Sequence, residues 1–469
     1  MWHGRFREDT AEMVQHFSQS LDLDWRLAPY DVYGSIAHVR MLEHVGLLEQ
    51  REAAALEDGL REVLREIQEG SLQPLESMED VHMNIEARLT ELIGPLGAKL
   101  HSGRSRNDQS ATSVRLYLRK EMYSVGDALI TLMDALLDRA TAHRHIIVPG
   151  YTHLQQAQPI SMGHYWLAHF WALARDFRRV LFALESVNEC PLGSGALAGS
   201  TLPLDRGFTT VTLGFDRTSD NSIDSVAHRD HLLDCQYAMT VLMVHASRMA
   251  EDLVIYNSRE FGWVVLPDAF CTGSSMMPQK KNPDVLELVR GRTGRVIGDL
   301  VDLLTIIKGL PLAYNRDMQE DKRALWSSAQ IVKDVLDVLP QLIARVEIDA
   351  ERAAEAFSDG FTLATDVAEY LVMKGVPFRT AHEQVGEAVR WCLDRKRTLL
   401  SLTREEWKEL IPSSDDGLMP ILNIESSVSR RNTQGGTSFK QVALQIERGL
   451  ETLEVFRKKL AAYPARFAL

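Results

Sequence analysis

The sequence has 469 residues, of which 45% are hydrophobic and 25% are charged, and these values exclude disorder or a fibrous structure for the bulk of the chain. It carries 52 basic and 65 acidic residues, a net charge of -13 at pH 7, which argues against nucleic acid or an anionic membrane as the main partner. No run of about 18 uncharged apolar residues occurs, so we expect no membrane span.

The spacing of the cysteines and the N-terminal residues indicate the cellular compartment of the protein. The chain has four cysteines, far apart in sequence: Cys190, Cys235, Cys271 and Cys392. They form no C-x-x-C pair, so we expect neither a zinc site nor a disulfide framework. Residues 1–10 lack the apolar segment of a signal peptide. We therefore expect a cytoplasmic protein.

The N-terminal part of the chain has short helical patterns. Apolar residues at helical spacing predict helices over residues 42–68 and 81–93, separated by a polar turn at residues 70–77. We therefore assign residues 1–110 to a small N-terminal helical domain.

The middle of the chain, residues 111–360, has the longest apolar patterns. Residues recurring at steps of three and four predict four long helices: 111–141, 161–189, 222–261 and 283–309. Such helices would be about 40 to 60 Å long. Their apolar stripes are too wide for one four-helix bundle to cover, so we expect several copies of the chain to pack their long helices together.

Broken helical patterns return in residues 361–469, which we assign to a C-terminal helical domain. Helices are predicted at residues 364–373 and 380–394, followed by a loop at 412–417 and a final helix at 438–463. The expected fold is therefore all-α, a long central helix bundle with smaller helical N- and C-terminal domains.

Three polar loops are the candidate functional segments, because loops on a rigid scaffold present backbone and side-chain groups to a ligand. The first, residues 99–109, places Ser105, Arg106 and Asn107 just before a long helix. Guanidinium, hydroxyl and backbone donors near a helix N-terminus can bind an anion. A solvated cationic turn is the alternative.

The second loop, residues 149–159, surrounds His153 with neutral hydrogen-bonding groups. Such a histidine can act as a general acid or base near neutral pH. From spacing alone, a structural histidine is the more common role for such a pattern.

The third loop, residues 272–284, contains Gly273, two serines, Lys280 and Asn282 immediately before a helix. A flexible loop rich in donors can close over an anionic substrate and stabilise developing negative charge. A surface linker is the alternative, although two adjacent methionines fit it poorly.

The third loop, Gly-Ser-Ser-Met-Met-Pro-Gln-Lys-Lys-Asn-Pro-Asp at residues 273–284, resembles the signature of the fumarase/aspartase superfamily. Its Gln-Lys-Lys-Asn ending is similar to the argininosuccinate lyase branch. Four further motifs resemble the same branch and follow in family order, at residues 102–109, 152–159, 191–199 and 314–322. The resemblance covers residues 20–436.

The resemblance implies that the chain cleaves argininosuccinate to arginine and fumarate without a metal or organic cofactor. It implies that Ser274 removes a proton from the carbon beside a carboxylate, and that Lys280 stabilises the doubly charged intermediate. His153, paired with Glu287, would assist the leaving guanidinium nitrogen, either as the acid or by orienting a water.

The resemblance also implies a set of substrate-binding residues for the succinyl carboxylates and the arginine end: Ser20, Ser105, Arg106, Asn107, Thr152, Arg229, Asn282, Tyr314, Gln319 and Lys322. The family is a homotetramer whose sites draw loops from three subunits, so this partner is expected here too. The sequence around Arg229 departs from the branch pattern, and Ser20 lies in a divergent stretch.

Other functions remain as alternatives. A sister lyase for adenylosuccinate, malate or aspartate would use the same serine loop, and an inactive crystallin-like homologue would keep most of it. A nucleic-acid module built on the basic residues 290–295 is opposed by the net charge of -13.

Overall fold

The computed structural model describes residues 11–75 and 78–463. The segment interpreted as lacking a signal peptide, residues 1–10, lies outside the described residues, as do residues 76 and 77 of the polar turn. The described chain is mainly helical, as predicted, with a few short strands.

The helices follow one another along the whole described chain. In the N-terminal part they are α1 (Glu12–Ser18), α2 (Leu21–Asp24), α3 (Ala28–His44), α4 (Gln50–Glu69) and α5 (Val81–Ile93). In the middle they are α6 (Arg106–Ala142), α7 (Met162–Val187), α8 (Arg206–Thr212), α9 (Ser222–Ala227), α10 (Asp230–Asn257), α11 (Asp284–Ile307), α12 (Asp321–Ile343) and α13 (Ala350–Glu355). The last are α14 (Ala364–Met373), α15 (Phe378–Asp394), α16 (Arg404–Leu410), α17 (Ile424–Arg430) and α18 (Phe439–Ala461).

The strands form two-stranded pieces. They are β1 (Ile147–Thr152), β2 (Gln155–Ser161), β3 (Glu189–Cys190), β4 (Arg217–Thr218), β5 (Val264–Val265), β6 (Thr272–Gly273), β7 (Lys281–Asn282) and β8 (Glu347–Ile348). β1 and β2 form an antiparallel hairpin, β6 pairs antiparallel with β7, β5 pairs antiparallel with β8, and β3 pairs parallel with β4. The second predicted loop is therefore a hairpin, and the third is closed at its base by β6 and β7.

The N-terminal helices have a hydrophobic core of their own, built mainly from α3, α4 and α5. The predicted helix at 42–68 is two helices, because Gly46 adopts φ +77° after α3. α4 then restarts with a capping box formed by Glu49 and Glu52 and ends at Gly70, φ +70°. The short turn between α3 and α4 lets the two helices pack against each other.

The central bundle packs long helices side by side, with α6 against α7 and α12, and α10 against α7 and α11. The predicted helices at 111–141, 161–189 and 283–309 are confirmed within a few residues by α6, α7 and α11. The predicted helix at 222–261 is wrong as a single element, because the chain breaks at His228 and Arg229 between α9 and α10. α12 was not among the predicted helices.

The C-terminal helices divide between two cores. α14 and α15 contribute to a small separate core that also contains Trp407 and Ile411. α18 instead packs on α6 and α7, where Val442, Leu453 and Phe456 join the core of the bundle. A domain boundary at residue 361 therefore assigns α18 to a different unit from the one it packs on, and the three-domain division remains our proposal. Across residues 11–75 and 78–463, no helix has both the length and the apolar character needed to cross a membrane.

Candidate functional site

A cleft of about 160 Å³ lies where the N-terminal helices meet the bundle. Its walls are α2, the first turns of α5 and α6, and the segment that leads into α12. The side chains that line it are Ser20, Asp24, Glu79, Asp80, His82, Met83, Arg106, Asn107, Ser110, Tyr314, Arg316, Gln319 and Lys322. Six of them are predicted substrate-binding residues, contributed by segments that are far apart in the sequence.

The start of α6 is fixed by its own sequence. Ser105 is the N-cap, and it forms a capping box with Asp108. The second carboxylate oxygen of Asp108 accepts backbone N–H bonds from Gly193 and Gly195, both at 2.9 Å. The motif at residues 191–199 is therefore tied to the first loop. Ser105 shapes the loop but does not line the cleft.

Arg106 is held on two of its three nitrogens. Its Nε lies 3.3 Å from Asp80 Oδ2, and its Nη1 donates to Glu86 Oε1 at 3.0 Å and to Gln109 Oε1 at 3.2 Å. Burial opposes ionisation of Glu86, but its bonds and charges with His101, Arg106 and Arg104 lower its pKa to about 2. The guanidinium is thus fixed in place, and none of the described residues hydrogen-bonds its Nη2, which can therefore bind a ligand.

Asn107 connects the first loop to the loop at residues 191–199. Its backbone N–H donates to Ser105 Oγ at 3.3 Å, and its side-chain amide donates to the carbonyl of Ala196 at 2.9 Å. The amide is exposed on the cleft side of this contact. Asn107 therefore joins the two motifs at the mouth of the cleft.

A chain of buried charges connects the opposite wall of the cleft to the interior of the protein. Lys322 Nζ donates to Asp321 Oδ1 at 3.0 Å and lies 3.9 Å from Asp24 Oδ1. Asp321 Oδ2 accepts from Arg229 Nε at 2.6 Å, and Ser20 donates to Asp24. Burial disfavours the Lys322 ammonium, but the two carboxylates more than compensate and raise its pKa. Arg229 lies behind Asp321 and does not line the cleft, so it supports Lys322 from a distance.

The segment before α12 forms the remaining wall of the cleft. Gln319 donates to the carbonyls of Ser18 and Gln19, both at 3.2 Å. Arg316 pairs with Glu79 at 2.8 Å. Burial raises the pKa of the Tyr314 hydroxyl, which keeps it a neutral hydrogen-bonding group.

Apart from His82, the charges that line the cleft balance. Arg106, Arg316 and Lys322 supply three cations, while Asp24, Glu79 and Asp80 supply three anions. Each cation already has an anionic neighbour. A lining of this kind suits a ligand that carries both an ammonium and a carboxylate rather than a simple anion.

The His153 hairpin lies apart from the cleft. Thr152 pairs with Gln155, so His153 and Leu154 form a two-residue turn, with φ +54° and +56°. Both φ values are positive, as in a type I′ turn, which normally prefers Asn and Gly. Thr152 and His153 are exposed at the tip of the hairpin.

The Ser274 loop is also outside the cleft. Ser274 Oγ accepts backbone N–H bonds from Met276 at 3.2 Å and Met277 at 3.0 Å. Lys280 is exposed. Asn282 lies in β7 and donates to the carbonyl of Gly273 at 3.4 Å, which joins the two ends of the loop.

Glu287 lies on the first turns of α11, exposed, 3.8 Å from Arg290. No contact between Glu287 and His153 exists within the described part of the chain. The structure thus brings together Ser20, Arg106, Asn107, Tyr314, Gln319 and Lys322 in one cleft, whereas Thr152, His153, Ser274, Lys280, Asn282 and Glu287 do not line it.

Left-handed backbone marks several of these segments. Among the described residues, the non-glycine positions with positive φ are Glu79, His153, Leu154, Ala313 and Lys396. Glu79 lines the cleft and Ala313 precedes Tyr314. Strained backbone of this kind persists where the surrounding structure fixes it and is common at functional sites.

Sequence reasoning missed part of the cleft wall. Asp24, Glu79, Asp80, His82 and Arg316 line it without having been predicted. Arg316 lies inside a motif that was recognised, so this signal was available. The acidic residues and His82 occur in stretches where spacing gives no indication of a site.

A more open cleft of about 650 Å³ lies beside the hairpin, between Tyr151, Trp263 and Thr362, and contains none of the predicted residues. Within residues 11–75 and 78–463, no group of three or more His, Cys, Asp or Glu side chains is arranged to hold a metal ion.

Comparison with known proteins gives consistent results. Residues 4–298 match the family model described as Lyase, and residues 361–429 match the model described as Argininosuccinate lyase C-terminal. The chain is 47% identical over 447 residues to the argininosuccinate lyase of Syntrophotalea carbinolica, covering 95% of this chain and 97% of that protein. It is 46% identical to the argininosuccinate lyase of Desulforamulus reducens, covering 97% and 99%.

Solved structures agree on the fold. An EDDS lyase in complex with formate has a TM-score of 0.85 at 29% identity, covering 93% of this chain and 88% of that one. A class II fumarase from Schistosoma mansoni has a TM-score of 0.73 at 17% identity, covering 86% and 92%. At this identity the fumarase supports the fold alone.

Proposed function

The chain belongs to the argininosuccinate lyase family, and we propose that it catalyses the reversible elimination that converts argininosuccinate to arginine and fumarate, a step of arginine biosynthesis. The observation that carries this proposal is the near full-length similarity to curated argininosuccinate lyases, at 47% and 46% identity. As a member of this family the protein is a carbon–nitrogen lyase.

The charge-balanced cleft supports a role in binding the arginine end of the substrate. That end carries an α-ammonium and an α-carboxylate, which match the paired anions and cations of the lining. We assign this end to Ser20, Asn107, Tyr314, Gln319 and Lys322. Arg106, whose Nη2 is left for a ligand, is assigned to a substrate carboxylate.

The Ser274 loop supports the proton-removal step. A serine hydroxyl is a poor base, but the two N–H groups of Met276 and Met277 already point at its oxygen and would stabilise an alkoxide. The base takes the proton from the carbon beside a succinyl carboxylate. Lys280, Asn282 and the loop N–H groups would then stabilise the doubly charged aci-carboxylate.

Breaking the C–N bond completes the reaction. The electron pair moves to the guanidinium nitrogen, which must gain a proton, and the remaining four-carbon unit leaves as fumarate. We assign assistance in this proton transfer to His153 with Glu287, and contact with the substrate to Thr152, which precedes His153 at the hairpin tip. Arg229, fixed on Asp321, is assigned to positioning Lys322.

We further propose a homotetramer in the cytoplasm, with each site assembled from different subunits. Two observations support the assembly. Neither the hairpin nor the serine loop lines the cleft of its own chain. In addition, α11 exposes apolar side chains that a monomer would leave in water, namely Leu288, Ile297, Val301 and Leu304.

The direct test incubates the purified protein with argininosuccinate and follows the ultraviolet absorbance of fumarate. We expect turnover with argininosuccinate and none with adenylosuccinate, malate or aspartate. Preferred turnover of one of these would assign the chain to a sister activity, and no turnover of any substrate by a folded protein would favour the crystallin-like alternative.

A further inference from the structure

A buried aspartate–histidine pair lies in the wall of the cleft. His82, on the first turn of α5, is 4% exposed, and its Nδ1 lies 2.9 Å from Asp31 Oδ1 on α3. Asp31 is 1% exposed. Gln109 Nε2 also donates to Asp31 Oδ1, at 2.8 Å, so the carboxylate is held from two helices.

His82 also reaches the cleft. His82 is part of the cleft lining, and none of the groups in the described residues hydrogen-bonds its Nε2. That nitrogen is also not among the fully enclosed polar atoms that lack a partner. Since Asp31 occupies Nδ1, Nε2 is the ring nitrogen through which this otherwise buried side chain can act on the cavity.

Asp31 sets the chemistry of this nitrogen. A proton on Nδ1 is fixed by the bond to Asp31, so Nε2 is the position that changes between donor and acceptor. Burial disfavours the charged ring, but the Asp31 carboxylate, with a contribution from Asp80, raises the pKa of His82. The pair favours an imidazolium whose Nε2–H donates into the cleft.

We propose that His82, supported by Asp31, is a further substrate-binding residue of this cleft, and that its Nε2–H donates to a carboxylate of the bound amino-acid end. This inference rests on the proposed function, because it deepens the account of the same site. His82, Arg106 and Asn107 all line this cleft. The imidazole would therefore supply the carboxylate with a donor whose geometry differs from that of the guanidinium and the amide.

The test compares two substitutions of the same side chain. In His82→Asn the amide nitrogen takes the place of Nδ1, so the bond to Asp31 is kept and the donor towards the cleft is lost. In His82→Gln the amide nitrogen approaches the place of Nε2. Loss of a charged hydrogen bond should raise KM for argininosuccinate about tenfold or more in His82→Asn, with kcat within about twofold of wild type. His82→Gln should recover part of this loss.

A matched control is available in the bundle. His245 Nδ1 lies 2.6 Å from the buried carboxylate of Asp176, far from the cleft lining. His245→Asn removes a comparable ring from a comparable pair and should leave KM unchanged. An equal rise of KM in both asparagine variants would indicate a structural effect and overturn the proposal, as would an unchanged KM in His82→Asn.

A second variant decides the matter if His82→Asn does not fold. Asp31→Asn keeps an acceptor for Nδ1 but removes the charge that favours the imidazolium, so KM should rise about threefold or more with kcat kept. An unchanged KM in this variant would overturn the proposal. Absence of lyase activity in the wild-type protein would instead refute the proposed function itself, so the two failures are distinguishable.

Discussion

Ser274 shows how backbone geometry can prepare a weak base. Its oxygen accepts N–H bonds from the second and third residues after it, in a turn that the sequence Ser-Ser-Met-Met forms locally at residues 274–277. These donors would stabilise an alkoxide more than a neutral hydroxyl, so they favour loss of the proton. The arrangement is formed within the loop of a single chain.

We therefore predict that Ser274→Ala reduces kcat by more than about 100-fold, because no other group of the loop replaces the base. The melting temperature should be unchanged, since Ser274 is part of no core. Steady-state fumarate release and thermal denaturation measure the two quantities.

Ser275→Ala is the matched control, because it removes the neighbouring hydroxyl, which accepts no such bonds, and it should keep most of the activity. If Ser274→Ala retains more than about a tenth of the wild-type rate, the base must be assigned to another residue.

The individual residues also show which contacts can be predicted from the sequence and which cannot. Ser274, Lys280 and Asn282 occur in a contiguous motif, so their proximity could be predicted from the chain alone. The Asp31–His82 pair joins residues that are 51 positions apart, and Arg229 acts on Asp321 across 92 positions. Such pairs depend on how helices pack, which local spacing does not encode.

At the scale of elements, long helices were predictable and short strands were not. The 3.6-residue period persists over more than 20 residues in α6, α7 and α11. The hairpin is interrupted by Pro149, Gly150 and Pro159, and its turn uses His and Leu, so no strand pattern is visible. The break before α10 was hidden because apolar periodicity continues across it, while Arg229 is drawn to Asp321 by tertiary contact.

The hairpin turn gives a prediction at this scale. Leu154 has φ +56° and is 61% exposed. Its left-handed conformation therefore costs free energy that burial of the side chain does not offset. Leu154→Gly should therefore stabilise the hairpin against local opening by about 1 kcal/mol. Amide hydrogen exchange in β1 and β2 should slow by up to about fivefold.

Leu154→Ala is the control for this prediction, since alanine keeps the unfavourable φ and should give no gain. Equal protection in the glycine and alanine variants would show that loss of the leucine side chain, rather than relief of the backbone, controls the hairpin.

At the scale of the whole molecule, the absence of the hairpin and the serine loop from the cleft lining leads to a test of the shared site. His153→Asn and Ser274→Ala should each be inactive alone. When the two proteins are mixed, dissociated and reassembled, a site that takes its hairpin and its serine loop from different chains is intact with a chance of about a quarter. Partial activity should therefore return.

Mixed assemblies must be confirmed by native mass spectrometry, and each mutant reassembled with itself serves as the control. If mixed assemblies form and no activity returns, each site is confined to one chain. Light scattering at the mass of one chain, 52.9 kDa, would contradict the tetramer as well.

The position of the Ser274 loop, outside the cleft of its own chain, has a consequence for when the protein becomes active. Under the shared-site proposal, a newly made chain can fold its helices and form its cleft yet remain inert, because it holds each part of the site in the wrong place. Activity then begins with assembly, so the specific activity of a dilute preparation should fall as subunits dissociate. The fraction of chains that are active therefore depends on the protein concentration as well as on the correct folding of each chain.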